Sequence, residues 1–265
     1  MDNKFYVIAH RGNCAFAPEN TKESFRQAIE CRADFLECDI LMTKDNIMVL
    51  NHDYDIDRTS AGTGLVSEKT FSELMTYDFG NRDKFGDRYK NTHIEKAVDI
   101  FAYFRDENVR FYIDLNGGYA LPYLKEILDR VKPNPEKIIF LAGSFPEADA
   151  VKDIFPNATV CHGMGCWVNF LACKNREDYF REALRHNIRG FNVYYHTFIN
   201  AGADRDIFAD LCCEYNMFWG AYFAPNFDFE NEETIRNCID FKTEKGSRMS
   251  YVMTNMPGVA TKLLL

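Results

Sequence analysis

Along this chain, short apolar runs rich in β-branched and aromatic residues alternate with longer segments whose apolar positions recur every three to four residues. The first pattern reads as strand and the second as amphipathic helix. Strands are predicted at Phe5 to His10, Phe35 to Ile40, Phe111 to Leu115, Ile138 to Ala142, Thr159 to His162, Phe191 to Tyr194, Phe218 to Tyr222 and Tyr251 to Thr254. Helices are predicted at Lys22 to Cys31, Ile94 to Arg105, Leu121 to Val131, Arg176 to His186, Asp204 to Tyr215 and Glu232 to Lys242, with a short helix started by Pro257 after the last strand.

This alternation over 265 residues predicts a single domain, 1–265, built as an α/β fold of the (β/α)8 TIM-barrel type, with its site at the C-terminal strand ends. An open doubly wound sheet would call for a glycine-rich phosphate loop after the first strand, and the stretch from His10 to Thr21 is not one. The polar, Gly- and Asn-rich segment from Tyr54 to His93 interrupts the repeat and is predicted to form a lid-like insertion over the barrel mouth.

Composition narrows the function. A net charge of −9 argues against a nucleic-acid or anionic-membrane surface, since both depend on clustered Lys and Arg. A phosphate-bearing substrate would need local positive charge. No run approaches the roughly 20 apolar residues of a transmembrane segment, and the N-terminal apolar run stops at His10 and Arg11 without a small-residue cleavage site. The expectation is a soluble, cytoplasmic protein. The nine cysteines are odd in number and include no C-x-x-C pair. With Cys31, Cys38, Cys161, Cys212 and Cys213 in apolar surroundings, they suggest small core residues rather than disulfides or a zinc site. Oligomeric state has no signature in the sequence.

Three clusters fall where a barrel places chemistry. The first strand ends in His10-Arg11-Gly12, the second carries Glu37 and Asp39, and the run Ile47 to Leu50 leads into Asn51-His52-Asp53. Residues two apart in a strand face the same side, so Glu37 and Asp39 project into one space, where a hard cation such as Mg2+ or Ca2+ would relieve their repulsion. Lys44-Asp45-Asn46 is a turn signal, and pairing about Asp45 returns His52 opposite Cys38 or Asp39. His10 borders the same space. A lone histidine is more often packing than chemistry, but two converging on one acidic pair shift that balance.

The ordered set from residue 10 to 64 comprises H-R-G at His10, P-E-N-T at Pro18 to Thr21, E-x-D at Glu37, H-D at His52 and R-T-x-x-G-x-G at Arg58 to Gly64. It resembles the glycerophosphodiester phosphodiesterase family. Gly143-Ser144-Phe145 and Thr254-Asn255-Met256-Pro257 extend the likeness toward the C-terminus. The resemblance implies a (β/α)8 barrel hydrolysing a small-molecule glycerophosphodiester to glycerol 3-phosphate and an alcohol. His10 and His52 would be the catalytic pair and Glu37, Asp39 and Asp114 the ligands of a divalent cation, Mg2+ or Ca2+. Arg11, Asn116 and Tyr222 would line the substrate.

The chain departs from the family at several places. Asp114 and Asn116 stand where the family has a glutamate and a lysine, Tyr222 aligns with its tryptophan while Trp219 lies earlier in the strand, and Asn255 replaces its aspartate. Asp114 is shared with related barrels that cleave lysophospholipids or sphingomyelin, a second reading for this chain. Asn116 removes a cation from the phosphate and motivates a third, a catalytically degenerate barrel that only binds phosphodiesters. Three features are read as structural. Asn20 with Glu23 is expected to cap the first helix and fix the loop that positions Arg11, Arg58 and Gly62-x-Gly64 to shape a turn, and His162 to be a satisfied structural histidine.

Overall fold

Alternation along the strands decides which side chains fill the barrel and which meet the helices. The computed structural model describes residues 4–115, 120–131, 138–163, 165–224 and 230–265. Its strands are β1 (Tyr6–Ala9), β2 (Phe35–Met42), β3 (Met48–Leu50), β4 (Arg110–Asp114), β5 (Ile138–Ala142), β6 (Thr159–His162), β7 (Ile188–Tyr194), β8 (Phe218–Tyr222) and β9 (Tyr251–Thr254). They run in the order β1-β9-β8-β7-β6-β5-β4-β2, and pairing of β1 with β2 closes a parallel eight-stranded barrel. β3 lies outside the ring, antiparallel on β2. This is the predicted TIM barrel.

One face of each strand points inward. Tyr6, Ile8, Phe35, Tyr112, Leu141, Cys161, Phe218, Tyr251 and Met253 form an apolar plug inside the barrel. Their neighbours Val7, Ala9, Leu36, Cys38, Phe111, Ile113 and Val252 pack outward against the helices. Removing each such large side chain from water contributes about 1.5–3 kcal/mol. The tyrosine hydroxyls within the plug stay paired: Tyr112 Oη lies 3.3 Å from Tyr251 Oη, which donates to the Phe191 carbonyl at 2.9 Å.

Several boundaries differ from expectation for local reasons. The helix predicted over Ile94 to Arg105 forms only at Ala97–Tyr103. The preceding residues are held extended against β3, with Val49 bridged to Lys96 and the Leu50 N–H donating to the Glu95 carbonyl at 3.0 Å. β7 starts at Ile188 rather than Phe191. Helices at Phe145–Ile154, Cys166–Ala172 and Tyr195–Ile199 had not been anticipated. All nine cysteines are free, and Cys213, expected in apolar surroundings, is exposed.

The segment from Tyr54 to His93 is less polar in role than in composition. It contributes Ile56, Val66, Leu74 and Phe79 to a satellite core with Leu41, Val49 and Ile94 on the β2–β3 hairpin. It also grips the loop after β1, where Lys84 Nζ donates to the Cys14 carbonyl at 2.8 Å and Tyr89 Oη to the Phe16 carbonyl at 2.7 Å.

Candidate active site

The interior columns that are apolar at the barrel floor turn polar toward its C-terminal end. Phe35 is followed by Glu37 and Asp39, Tyr112 by Asp114, Ile8 by His10 and Met253 by Asn255. Strand register sets these groups side by side. Asp39 pairs level with Asp114, and Ala9 with both Leu36 and Thr254, so His10 leaves β1 between Glu37 and Asn255. The β2–β3 pairing Ile40 with Leu50 is centred on Asp45 and carries His52 back to the same rim.

Glu37, Asp39 and Asp114 gather their carboxylate oxygens within 4.8 Å of one another. Burial, the nearby Asp39, and Asp114 beyond it push the Glu37 carboxyl well above its ordinary range, against the opposing pull of Arg11. Three hard oxygen donors in one buried corner can hold a divalent cation, and their mutual repulsion is the strain that such a cation would relieve.

Arg11 and Gly12 make the turn that frames this corner, with φ of +54° and +83°. A side chain at Gly12 would collide with Ser24, whose backbone carbon would stand 2.7 Å from the added Cβ. The turn aims the Arg11 N–H at Glu37 Oε2, at 2.7 Å. The buried guanidinium donates to Glu19 Oε1 at 2.9 Å and lies 3.4 Å from Asp39 Oδ2. Burial disfavours its charge, yet Asp39, Glu19 and Glu37 outweigh that and hold it more firmly protonated.

Asn20 does not cap the first helix. Thr21 does, accepting from the Ser24 N–H at 3.2 Å within a capping box closed by Ser24. Asn20 sits one residue earlier in a left-handed conformation, φ +57°, and brackets Asp39 instead. Its Nδ2 donates to Asp39 Oδ2 at 2.9 Å and its Oδ1 accepts from the Asp39 N–H at 3.2 Å. The expected link to Arg11 stands, through the Asn20 N–H and Ser24 Oγ, which donate to the Arg11 carbonyl at 3.1 and 3.0 Å.

The two histidines stand in opposite surroundings. His10 is 6% exposed, and its Nδ1 meets Asn255 Oδ1 at 3.1 Å. Burial, then the charges of Arg11 and His52, push it well below the ordinary histidine value. The Tyr222 ring flanks it with centroids 6.4 Å apart. His52 is open to solvent, its side chain 40% exposed, and its Nδ1 lies 2.6 Å from Asp53 Oδ1. Burial works against its charge, but the Asp53 bond and the field of Asp39 prevail and raise it.

Sequence reasoning missed the chain of charges joining these halves. Arg58 Nε donates to Asp53 Oδ2 at 2.6 Å, and Arg58 Nη1 to Glu19 Oε2 at 2.6 Å, while Glu19 also holds Arg11. Arg58, expected only to shape a turn, therefore ties the acidic corner to His52. Burial alone would raise the Glu19 carboxyl, but the two arginines bring it down to about 2. Glu230, also missed, accepts from Asn255.

The remaining candidates fall as follows. Trp219 is buried in the outer layer, whereas Tyr222 reaches the rim beside His10. His162 Nδ1 lies 2.8 Å from Tyr179 Oη and the ring packs on Phe145, away from the mouth; its buried Nε2 meets no partner among the described residues. Asn116 lies outside the described residues.

Fold and site together describe a TIM barrel with an acidic corner flanked by two histidines. Residues 10–160 match the profile of the glycerophosphoryl diester phosphodiesterase family, and the chain belongs to that family. A glycerophosphodiester phosphodiesterase of Caldanaerobacter subterraneus subsp. tengcongensis is 36% identical over 126 residues, 47% of this chain and 51% of the relative. The chain thus spans about half the length of that curated relative. Among solved structures, a glycerophosphodiester phosphodiesterase from Agrobacterium tumefaciens superposes with a TM-score of 0.75 at 19% identity, over 97% of this chain and 99% of its own. An Oleispira antarctica phosphodiesterase, solved in complex with the product sn-glycerol-3-phosphate, gives a TM-score of 0.77 at 18% identity, over 98% and 96%.

Proposed function

We propose that this protein hydrolyses small glycerophosphodiesters to glycerol 3-phosphate and an alcohol, with His10 as general base and His52 as general acid. The observation that carries this is the opposed environment of two histidines beside one cluster of carboxylates. Pairs of titratable groups whose surroundings drive them apart divide acid and base work between them.

His10 is kept neutral, so it accepts a proton from the attacking hydroxyl. His52 is kept charged, so it donates a proton to the departing alkoxide, and Asp53 holds the resulting imidazole in line. Arg11 presents permanent positive charge to the phosphate in an otherwise acidic protein. Mg2+ or Ca2+ bound by Glu37, Asp39 and Asp114 would offset charge on the phosphoryl oxygens. Asn20 and the Arg11 N–H orient two of those carboxylates. Tyr222 and Asn116 complete the proposed substrate lining.

A second reading, cleavage of acylated diesters, rests on Asp114 in the carboxylate cluster and on two exposed aromatics that follow His10 and His52 closely in sequence, Phe16 at 49% and Tyr54 at 61% exposure. Glycerol 3-phosphate release from glycerophosphocholine, measured with Mg2+ or Ca2+ and again with chelator, separates the readings. The proposal expects metal-dependent release. Turnover of lysophospholipid alone would favour the second reading, and no turnover of any diester would leave a binding barrel.

A further inference from the structure

The side chain of Asn255 is ambivalent in a way that a carboxylate is not. A carboxylate at this place would accept from His10 through either oxygen. An amide offers an oxygen on one side and an NH2 on the other, and turning it over exchanges them. If the NH2 faced His10, Nδ1 would have to accept, the ring proton would move to Nε2, and the nitrogen free to act as a base would be lost.

The surroundings of that amide are sorted by donor and acceptor. Oδ1 faces His10 Nδ1 at 3.1 Å and Cys14 Sγ at 2.9 Å. Burial raises the Cys14 pKa far above its ordinary value, so it remains a thiol and a donor. Nδ2 faces Glu230 Oε2 and, at 3.5 Å, the Phe223 carbonyl. Burial raises the Glu230 carboxyl, but the Thr254 hydroxyl and the Asn255 N–H donate to its oxygens, so it stands here as an acceptor. Turned over, the amide would set its oxygen against two acceptors and its NH2 against a thiol and a ring N–H. Glu230 cannot easily swing away to avoid this. Its Oε1 is tied by the Thr254 hydroxyl and, at 3.0 Å, by the Asn255 N–H, and Thr254 is fully buried.

We propose that Glu230 is a positioning residue that fixes the direction of the Asn255 amide and, through it, keeps the proton of His10 on Nδ1 so that Nε2 faces the mouth as a base. Glu230 never touches the reacting atoms. It supplies, one amide further out, the acceptor-only character that a carboxylate at position 255 would have supplied directly. The inference rests on the reading of His10 as the base for its catalytic consequence, but not for the tautomer itself.

The test reads that tautomer by ring 15N NMR of histidine-labelled protein, where the six histidines are few enough to assign His10 by its absence in His10→Gln. The wild type is expected to carry the His10 proton on Nδ1. Glu230→Gln should mix the two tautomers and lower kcat by about tenfold or more with little change in KM. Adding Asn255→Asp to Glu230→Gln should restore both the Nδ1–H signal and kcat, because an aspartate cannot be turned the wrong way. Arg11, Glu19 and His52, the other charged groups acting on His10, are the same in every variant. A wild-type proton on Nε2, an unchanged spectrum in Glu230→Gln, or a Glu230→Gln defect that Asn255→Asp does not repair would each overturn the proposal. If Glu230→Gln alone does not fold, the double variant decides: Nδ1–H supports the inference and Nε2–H overturns it. No turnover is needed for these spectra. A protein inactive on every diester but with Glu230-controlled His10 would therefore overturn the hydrolase reading and leave this one standing.

Discussion

His10 and His52 border the same acidic corner but belong to two different kinds of environment. His10 is sealed in the top of the barrel wall against a neutral amide and an aromatic ring, with its Nδ1 3.1 Å from Asn255 Oδ1. His52 rides on a hairpin edge, partly in water, at the end of a chain of alternating charges running Arg11, Glu19, Arg58, Asp53. On the proposed reading, this difference lets one residue type serve as base and acid at a single pH. Desolvation strips the charge from one ring, and a carboxylate partner retains it on the other.

The largest expected effect removes what both halves share. Glu37→Ala should lose divalent-cation binding and diester hydrolysis together, by about a thousandfold in kcat. Isothermal titration with Mg2+ or Ca2+ alongside the rate checks this, and full activity in chelator would break the account.

The pH profile sharpens the contrast. The His10 pKa lies below 6.5, so its base form persists and activity should fall only in acid below that value. The His52 pKa lies above 6.5, so its acid form is lost, and activity declines, only as pH rises beyond that value. kcat should therefore plateau across 6.5, and Asp53→Asn should pull the alkaline limb down toward 6.5 while leaving the acid limb in place. Movement of the acid limb instead would reverse the assignment.

The ion chain is expected to matter for stability as well. Glu19→Gln leaves two arginines without their shared carboxylate and should cost about 3 kcal/mol in urea unfolding at neutral pH. Because the folded carboxyl is lowered to about 2, the wild-type contribution is fully present above the ordinary carboxylate range. It fades as pH falls from there toward about 2, so the gap between wild type and variant should close in acid.

The smallest effect comes from the barrel floor. Tyr112→Phe removes one hydroxyl contact of 3.3 Å to Tyr251 and should cost about 1 kcal/mol of stability without altering kcat. A large change in kcat would mean that the floor is coupled to the mouth.

The sequence made legible whatever depends on short-range periodicity. The eight barrel strands, the facing of Glu37 with Asp39, and the fold-back about Asp45 all follow from a period of two and one turn. One helix could have been read but was not. Ser144 followed by Phe145, Pro146 and Glu147 is a cap, an early proline and an acidic first turn, which begin the helix Phe145–Ile154. The cap at Thr21 was misplaced by one because Asn20 and Thr21 are both good cap residues, and only the left-handed φ of Asn20 frees its side chain for Asp39. The Glu19–Arg58 pair and the Glu230–Asn255 pair join residues 39 and 25 apart in sequence. Such pairs are set by closure of the barrel mouth, and no local pattern announces them.

The comparison of the two histidines is tested most directly by crossing each with the leaving group. Rates of the wild type, His10→Ala and His52→Ala would be measured on glycerophosphocholine, whose choline alkoxide needs a proton, and on the glycerol diester of p-nitrophenol, whose phenolate does not. The account predicts that both variants lose about 10²- to 10⁴-fold on the choline diester. On the nitrophenyl diester, His52→Ala should recover most of the wild-type rate and His10→Ala should not. Equal losses for the two variants on both substrates would contradict the division of base and acid between His10 and His52.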